Sequence, residues 1–143
     1  MRARRPSWLS RLALAVQVLA GALALAACGH SITGAGLLPV GTWGGPQGNL
    51  AVFSDSATLD LPCAAGRIQA ALVIADDGTF DVAGLWAPQV GPVQVGGPFW
   101  QSARFSGRRD GDTVEMNVQI AGGATIGPLR FQRGVVGQFA RCV

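Results

Sequence analysis

Chemistry in this chain would have to come from a short inventory of side chains. There is one histidine, His30, and there are no lysines and no tyrosines. The eight acids are Asp55, Asp60, Asp76, Asp77, Asp81, Asp110, Asp112 and Glu115. Two of them facing each other in a cleft could serve as acid and base, as in glycoside hydrolysis. Asp110-Gly111-Asp112 and Asp76-Asp77-Gly78 could hold a calcium ion, but neither has the length or ligand density of a dedicated loop. Asp and Gly are also what a hairpin turn requires by itself, and that is the preferred reading. Without a histidine, a lysine or a free thiol in the main body, Ser-His-Asp and Cys-His catalysis lack their parts. Zinc sites built on His and Cys fail for the same reason. The expectation is a protein with no catalytic residues, no metal site and no cofactor, one that binds rather than catalyses.

Binding chemistry is better represented. Trp86 and Trp100 bracket a stretch rich in proline and glycine, with Phe99 beside the second tryptophan. Aromatics in such a loop can stack on a ring, a sugar or an acyl chain, and long loops in small domains carry function. The same tryptophans could instead fill a small core that needs bulky apolar groups. Arg104 and Arg67, among apolar neighbours, could pair the headgroup of an anionic ligand, or Asp60 and Asp81 across strands. Trp86, Phe99, Trp100 and Arg104 are therefore the candidate ligand-binding residues.

The N-terminal segment says where such a site would work. Arg2, Arg4, Arg5 and Arg11 precede an apolar run from Leu12 to Ala27, which ends in small residues. That order describes a secretory signal peptide, and the run is short for a membrane span of about 20 residues. Its last four residues, Leu25-Ala26-Ala27-Cys28, resemble the lipobox of bacterial lipoproteins. The resemblance implies cleavage before Cys28, a diacylglyceryl group on its sulfur, and acylation (typically with palmitate) of the new amino group. Residues 1–27 are then the signal peptide. Residues 28–40 are the lipidated cysteine and a flexible tether, and 41–143 are the domain. A single acyl chain anchors only marginally, whereas several make attachment effectively permanent. Gly29 after the lipidated cysteine resembles lipoproteins sent to the outer membrane. The expected location is thus the bacterial cell envelope, with the membrane as a partner.

Processing also changes the charge. All eleven basic residues are arginine, and four leave with the signal peptide, so seven face eight acids. The basic pI of 9.3 belongs to the targeting segment. No basic stripe remains to follow a phosphate backbone, and nucleic acid is not an expected partner. With Cys28 committed to lipid, Cys63 and Cys142 form an even pair in an oxidising compartment and are expected to bond.

The elements that must position these groups read as strands. Helix-period stripes are missing after Val40, and glycine and proline recur too often for long helices. The expected strands are Leu50 to Phe53, Thr58 to Cys63, Arg67 to Ala75, Thr79 to Leu85, Trp100 to Gly107, Thr113 to Ile120, Ile126 to Gln132, and Gln138 to Val143. Pro62 cannot donate to a ladder, which suggests an edge or a bulge. Arg67 to Ala75 is more continuously apolar than the strands before it, which suggests a strand covered on both sides. Asp77-Gly78 is a strong hairpin signal. In Thr113 to Ile120, Val114, Met116, Val118 and Ile120 alternate with polar residues. About eight short strands with regular turns predict an all-β fold, a small antiparallel barrel or alternatively a β-sandwich.

The opening Gly41-Thr42-Trp43, the meandering strands and the Cys63–Cys142 pairing resemble the calycin barrels, lipocalins and avidins among them. In lipocalins a late arginine covers the tryptophan, and Arg130 or Arg133 could do so here. The mature region is also similar to a group of small uncharacterised bacterial lipoproteins. The shared segments are Gly41-Thr42-Trp43-Gly44-Gly45, Cys63-Ala64-Ala65-Gly66-Arg67-Ile68, Arg104-Phe105-Ser106-Gly107 and Asp110-Gly111-Asp112-Thr113. That group implies no activity. The expected function is a lipid-anchored binding protein holding a small apolar or amphipathic ligand in the barrel. The alternative is a protein-interaction module, an envelope assembly factor or an enzyme inhibitor. A cavity lined by Trp86 and Trp100 would favour the first. A filled barrel with an exposed loop from Pro88 to Pro98 would favour the second.

Overall fold

A computed structural model describes residues 36–89 and 97–142. Ten strands form there: β1 (Gly36–Leu37), β2 (Gly41–Gly45), β3 (Gly48–Val52), β4 (Ala57–Leu61), β5 (Ala64–Ile68), β6 (Val73–Ile74), β7 (Thr79–Pro88), β8 (Gln101–Asp110), β9 (Thr113–Ile120) and β10 (Thr125–Arg133). Eight of them close an antiparallel barrel in the order β10-β2-β3-β4-β5-β7-β8-β9. Neighbours in space are neighbours in sequence apart from β6, so the barrel is an up-and-down meander.

Alternation decides what fills it. Successive side chains on a strand point to opposite faces, and on β9 the four residues Val114, Met116, Val118 and Ile120 point inward. Trp43 and Leu50, directly opposite each other on β2 and β3, are both fully buried. Leu59, Phe105 and Phe131 complete the centre from β4, β8 and β10. The interior is packed with side chains. Phe105 fits because two glycines face it: a Cβ on Gly66 would lie 2.9 Å from its ring, and one on Gly84 would lie 2.7 Å away.

One end of the barrel is plugged. β1 and β6 leave the barrel wall and pair with each other, Gly36 opposite Ile74 and Leu37 opposite Val73. Leu38, Leu72 and Ile74 are buried beneath this pair. The Leu38 amide donates to the Leu72 carbonyl at 2.8 Å, and Trp43 Nε1 donates to the Pro39 carbonyl at 3.1 Å. The fold therefore takes in residues from the stretch expected to be a tether, because Leu38 is apolar enough to dock. The other end, the mouth, carries the β2–β3, β4–β5 and β9–β10 turns.

Several strand expectations need correction. Arg67 to Ala75 is not one strand: β5 ends at Ile68 and β6 begins at Val73. The run is rich in apolar residues because Ile68 faces the barrel interior and Leu72 and Ile74 belong to the plug, while Arg67 and Gln69 are exposed. Pro62 lies in the turn after β4 and not at a sheet edge, and the closed barrel has no edge for it to occupy. Trp86 and Pro88 belong to β7, where a terminal proline is tolerated. Arg108 to Asp110 extend β8 beyond its expected end at Gly107. Gln138–Arg141 form no strand. They belong to a C-terminal segment that lies along the outside of the barrel.

That segment is pinned repeatedly. Asn49 grips Gly137 with both ends of its amide: Oδ1 accepts from the Gly137 nitrogen at 2.6 Å and Nδ2 donates to its carbonyl at 3.3 Å. Arg141 pairs with Asp60 at 2.7 Å. The Cys142 amide donates to the Pro62 carbonyl at 2.8 Å. Cys63 and Cys142 are disulfide-bonded, with a Cα separation of 5.0 Å.

A turn forms at Asp77-Gly78, with Gly78 at a φ of +83° that favours glycine, but it is not the expected hairpin: β6 pairs with β1, and β7 pairs with β5 and β8. Asp77 Oδ1 accepts from the Thr79 hydroxyl at 2.6 Å and from its amide at 2.9 Å. Both bonds favour the ionised carboxylate and hold the Asp77 pKa below the usual aspartate value. A lowered folded pKa means that this stabilisation is present above the unfolded value and lost as pH falls through the folded one. In an NMR titration of the side-chain carboxyls, Asp77 should protonate below the range of an unperturbed aspartate. Thr79→Val should raise it.

Candidate functional site

The mouth holds a hollow lined by apolar side chains. The β2–β3 turn brings Pro46 and Gln47, and the β4–β5 turn brings Pro62 and Cys63. β7 brings Trp86 and Pro88, and β10 brings Ile126 and Leu129. With Leu61 and Ala64 these form an open cleft of about 570 Å³. Among the described residues of the lining, Gln47 alone has an uncharged polar side chain and none is charged. Trp86, 4% exposed, forms its floor. Small-molecule sites are generally clefts of about 300–1,000 Å³ with mostly apolar walls and few polar groups. This hollow has that size and lining.

The four ligand-binding candidates from the sequence fall in different places. Trp86 alone lines the mouth cleft. Gln101 is its partner on β8 and shares its face, so Trp100, one residue earlier, lies against the outer wall. There the Arg67 guanidinium stacks over its ring at 4.3 Å, a cation–π contact. Phe99 is 74% exposed. Arg104 also faces outward and forms a two-pronged pair with Asp81, Nε to Oδ1 at 2.6 Å and Nη2 to Oδ2 at 2.9 Å. Asp81 thereby holds the guanidinium more firmly in its charged form. Arg104 lines a separate outer-wall hollow of about 400 Å³ with Ser102 and Gln119. Because it is well exposed, the ion pair adds little to stability.

The other charged groups are spread over the outside. Arg130 pairs with Glu115 at 2.9 Å, and Arg133 approaches Asp112 at 3.9 Å. Arg109 donates from Nε to the Gly111 carbonyl at 2.8 Å. Among the described residues, no three His, Cys, Asp or Glu side chains converge as metal ligands would. Arg133 lies directly opposite Trp43 across the β10–β2 junction and shares its face, whereas Arg130 points outward to Glu115. Cys28, His30 and residues 90–96 of the proline- and glycine-rich stretch lie outside the described residues.

The sequence reading missed the apolar cleft lining apart from Trp86. One signal was available. In a meander alternate connections fall at the same end, so the residues around Pro46, Pro62 and Ile126 must meet the C-terminal end of β7. The fold defines the class: a small eight-stranded up-and-down barrel with a filled interior, one plugged end and an apolar mouth. No protein-family model matches the chain, and no curated protein or solved structure matches it.

Proposed function

We propose that this is a lipid-anchored protein of the bacterial cell envelope that binds a small apolar or amphipathic molecule at the mouth of its barrel, without catalysis. The observation that carries the reading is the cleft of about 570 Å³ with its almost wholly apolar lining. Because the interior is filled, this reading puts the ligand at the end of the barrel and not at its centre, where the sequence had suggested it. Trp86 supplies a flat apolar floor, and Gln47 at the rim supplies a donor and an acceptor for a polar head. The Leu25-Ala26-Ala27-Cys28 lipobox supports the anchor and, with Gly29, an outer-membrane address. The meander, the opening Gly41-Thr42-Trp43 and Arg133 opposite Trp43 support the calycin-like part of the reading.

The test is native mass spectrometry of the protein purified gently from the envelope without reductant. Bound mass that leaves on denaturation supports the proposal and identifies the class of cargo. Ile126→Glu places an unpaired carboxylate in the apolar cleft and should weaken retention at least tenfold, about 1.4 kcal/mol. Arg104→Gln, on the outer wall, should leave it unchanged. Equal loss in both variants, or in neither, counts against the cleft.

A second reading is favoured by a specific observation. The packed interior, with Phe99 exposed beside the Arg67–Trp100 stack, suits a protein-interaction module. A chain that carries no cargo but loses a captured envelope protein on Phe99→Ser would support that alternative.

A further inference from the structure

The plugged end has an outer surface that its role as a plug does not explain. Seven large hydrophobic side chains are well exposed among the described residues, and four lie at this end: Leu37 at 57%, Val40 at 58%, Phe53 at 49% and Val73 at 62%. They are not scattered. Leu37 and Val73 are directly opposite each other in the β1–β6 pair, and opposite residues share a face with Cβ atoms about 5 Å apart. The inner face of that small sheet puts Ile74 on the core. Its outer face is apolar too, and no described residue covers it. Val40 leads into β2, and Phe53 follows Val52, which pairs with Gly41 at the start of that strand. Apolar residues concentrated in this way mark a contact surface.

We infer that this face rests on the lipid bilayer to which the chain is anchored. The inference depends on the lipid-anchor reading and goes beyond it by assigning an orientation. Chain length identifies the occupant. Cys28 and Gly36 are eight residues apart, a span of about 28 Å even fully extended. An acylated Cys28 therefore keeps the β1–β6 end within that reach of the headgroups, and contact becomes an intramolecular event at high effective concentration. Apolar side chains on such a face bury about 5–10 Å into the boundary between headgroups and acyl chains. The surroundings carry both signs of charge, Asp55, Asp76 and Asp77 with Arg108 and Arg109, so attraction to anionic lipid is not the driving force. The mouth, at the opposite end, then faces away from the bilayer.

The lipidated protein with its native disulfide intact is tested in phosphatidylethanolamine–phosphatidylglycerol vesicles. One environment-sensitive fluorophore is placed on Val73→Cys at the plug and, in a separate sample, on Ala121→Cys at the mouth. The probe at 73 should shift to the blue and be quenched severalfold by nitroxide-bearing lipids. That response should persist in about 0.5 M salt, where the Debye length is only a few ångströms, and in purely zwitterionic vesicles. The probe at 121 should stay as in buffer. An acylated chain with a water-like probe at 73 overturns the inference while leaving the anchor intact. So does shielding that needs no vesicles and grows with protein concentration, which would indicate a second copy. Mass spectrometry of the same sample reads the anchor itself: a chain without acyl mass on Cys28 overturns both.

Discussion

Replacing Cys63 and Cys142 together with serine should lower the unfolding free energy by about 4 kcal/mol and increase the denaturant dependence of unfolding. The bridge spans 79 residues in sequence. On the chain-entropy account, a cross-link over a loop of that size removes a large part of the unfolded chain's freedom, with a ceiling of between 4 and 5 kcal/mol. A small domain unfolds by only about 5–15 kcal/mol in total, so the reduced protein would be marginal at 37 °C. Urea titration followed by tryptophan fluorescence checks both parts. The m-value matters because a chain freed of its cross-link exposes more surface on unfolding. An unchanged midpoint would mean that the bridge contributes nothing net. Free reaction of both cysteines with a thiol reagent in unreduced protein would mean that it does not form.

The second large effect should come from Phe105→Ala, at about 3–5 kcal/mol. Its ring is fully buried in the barrel, and its nearest walls include Gly66 and Gly84. Neither has a side chain that could relax into the space, so the upper part of that range is expected. The same geometry predicts a coupling. Gly66→Ala alone overpacks against Phe105 and Leu59 and should cost about 1–3 kcal/mol. In the Phe105→Ala background the new methyl occupies vacated space, and the cost should fall or change sign. A double-mutant cycle by denaturant unfolding reads the interaction directly. Strict additivity would mean that Phe105 does not pack where the structure puts it.

The parts of this fold legible in the sequence were those governed by short-range rules. Thr113 to Ile120 alternates without interruption, and β9 has those same ends. Asp77-Gly78 signals a turn because glycine there takes a left-handed backbone. The all-β meander follows from many such units at regular spacing. What was not legible depends on partners distant in sequence. In Arg67 to Ala75 the polar Gln69 is the one local mark of the point where the chain leaves the barrel wall; Leu72 and Ile74 belong to the plug because Leu38 meets them. Pro88 hid the last turn of alternation on β7, although Phe80, Val82, Gly84 and Trp86 keep a single phase. The cleft was hidden because its residues come in short groups from turns and strand ends far apart in sequence. Only Trp86 stood out by size, and Trp100 drew equal attention although it faces the other way.

The weakest joint of the barrel is where the ring closes. β10 and β2 share two registered pairs, whereas β7 and β8 share eight. Fluctuations that open the cylinder should start at that seam. The C-terminal segment crosses it: the Gly134 amide donates to the Thr42 carbonyl at 2.8 Å, and Gly137 is gripped by Asn49 on the next strand. The disulfide fastens the far end of this strap beyond β4. A bond located at the mouth thus works as a buckle for a seam on another side of the molecule. Cutting it should be felt first in faster amide exchange along β2 and β10, away from either cysteine.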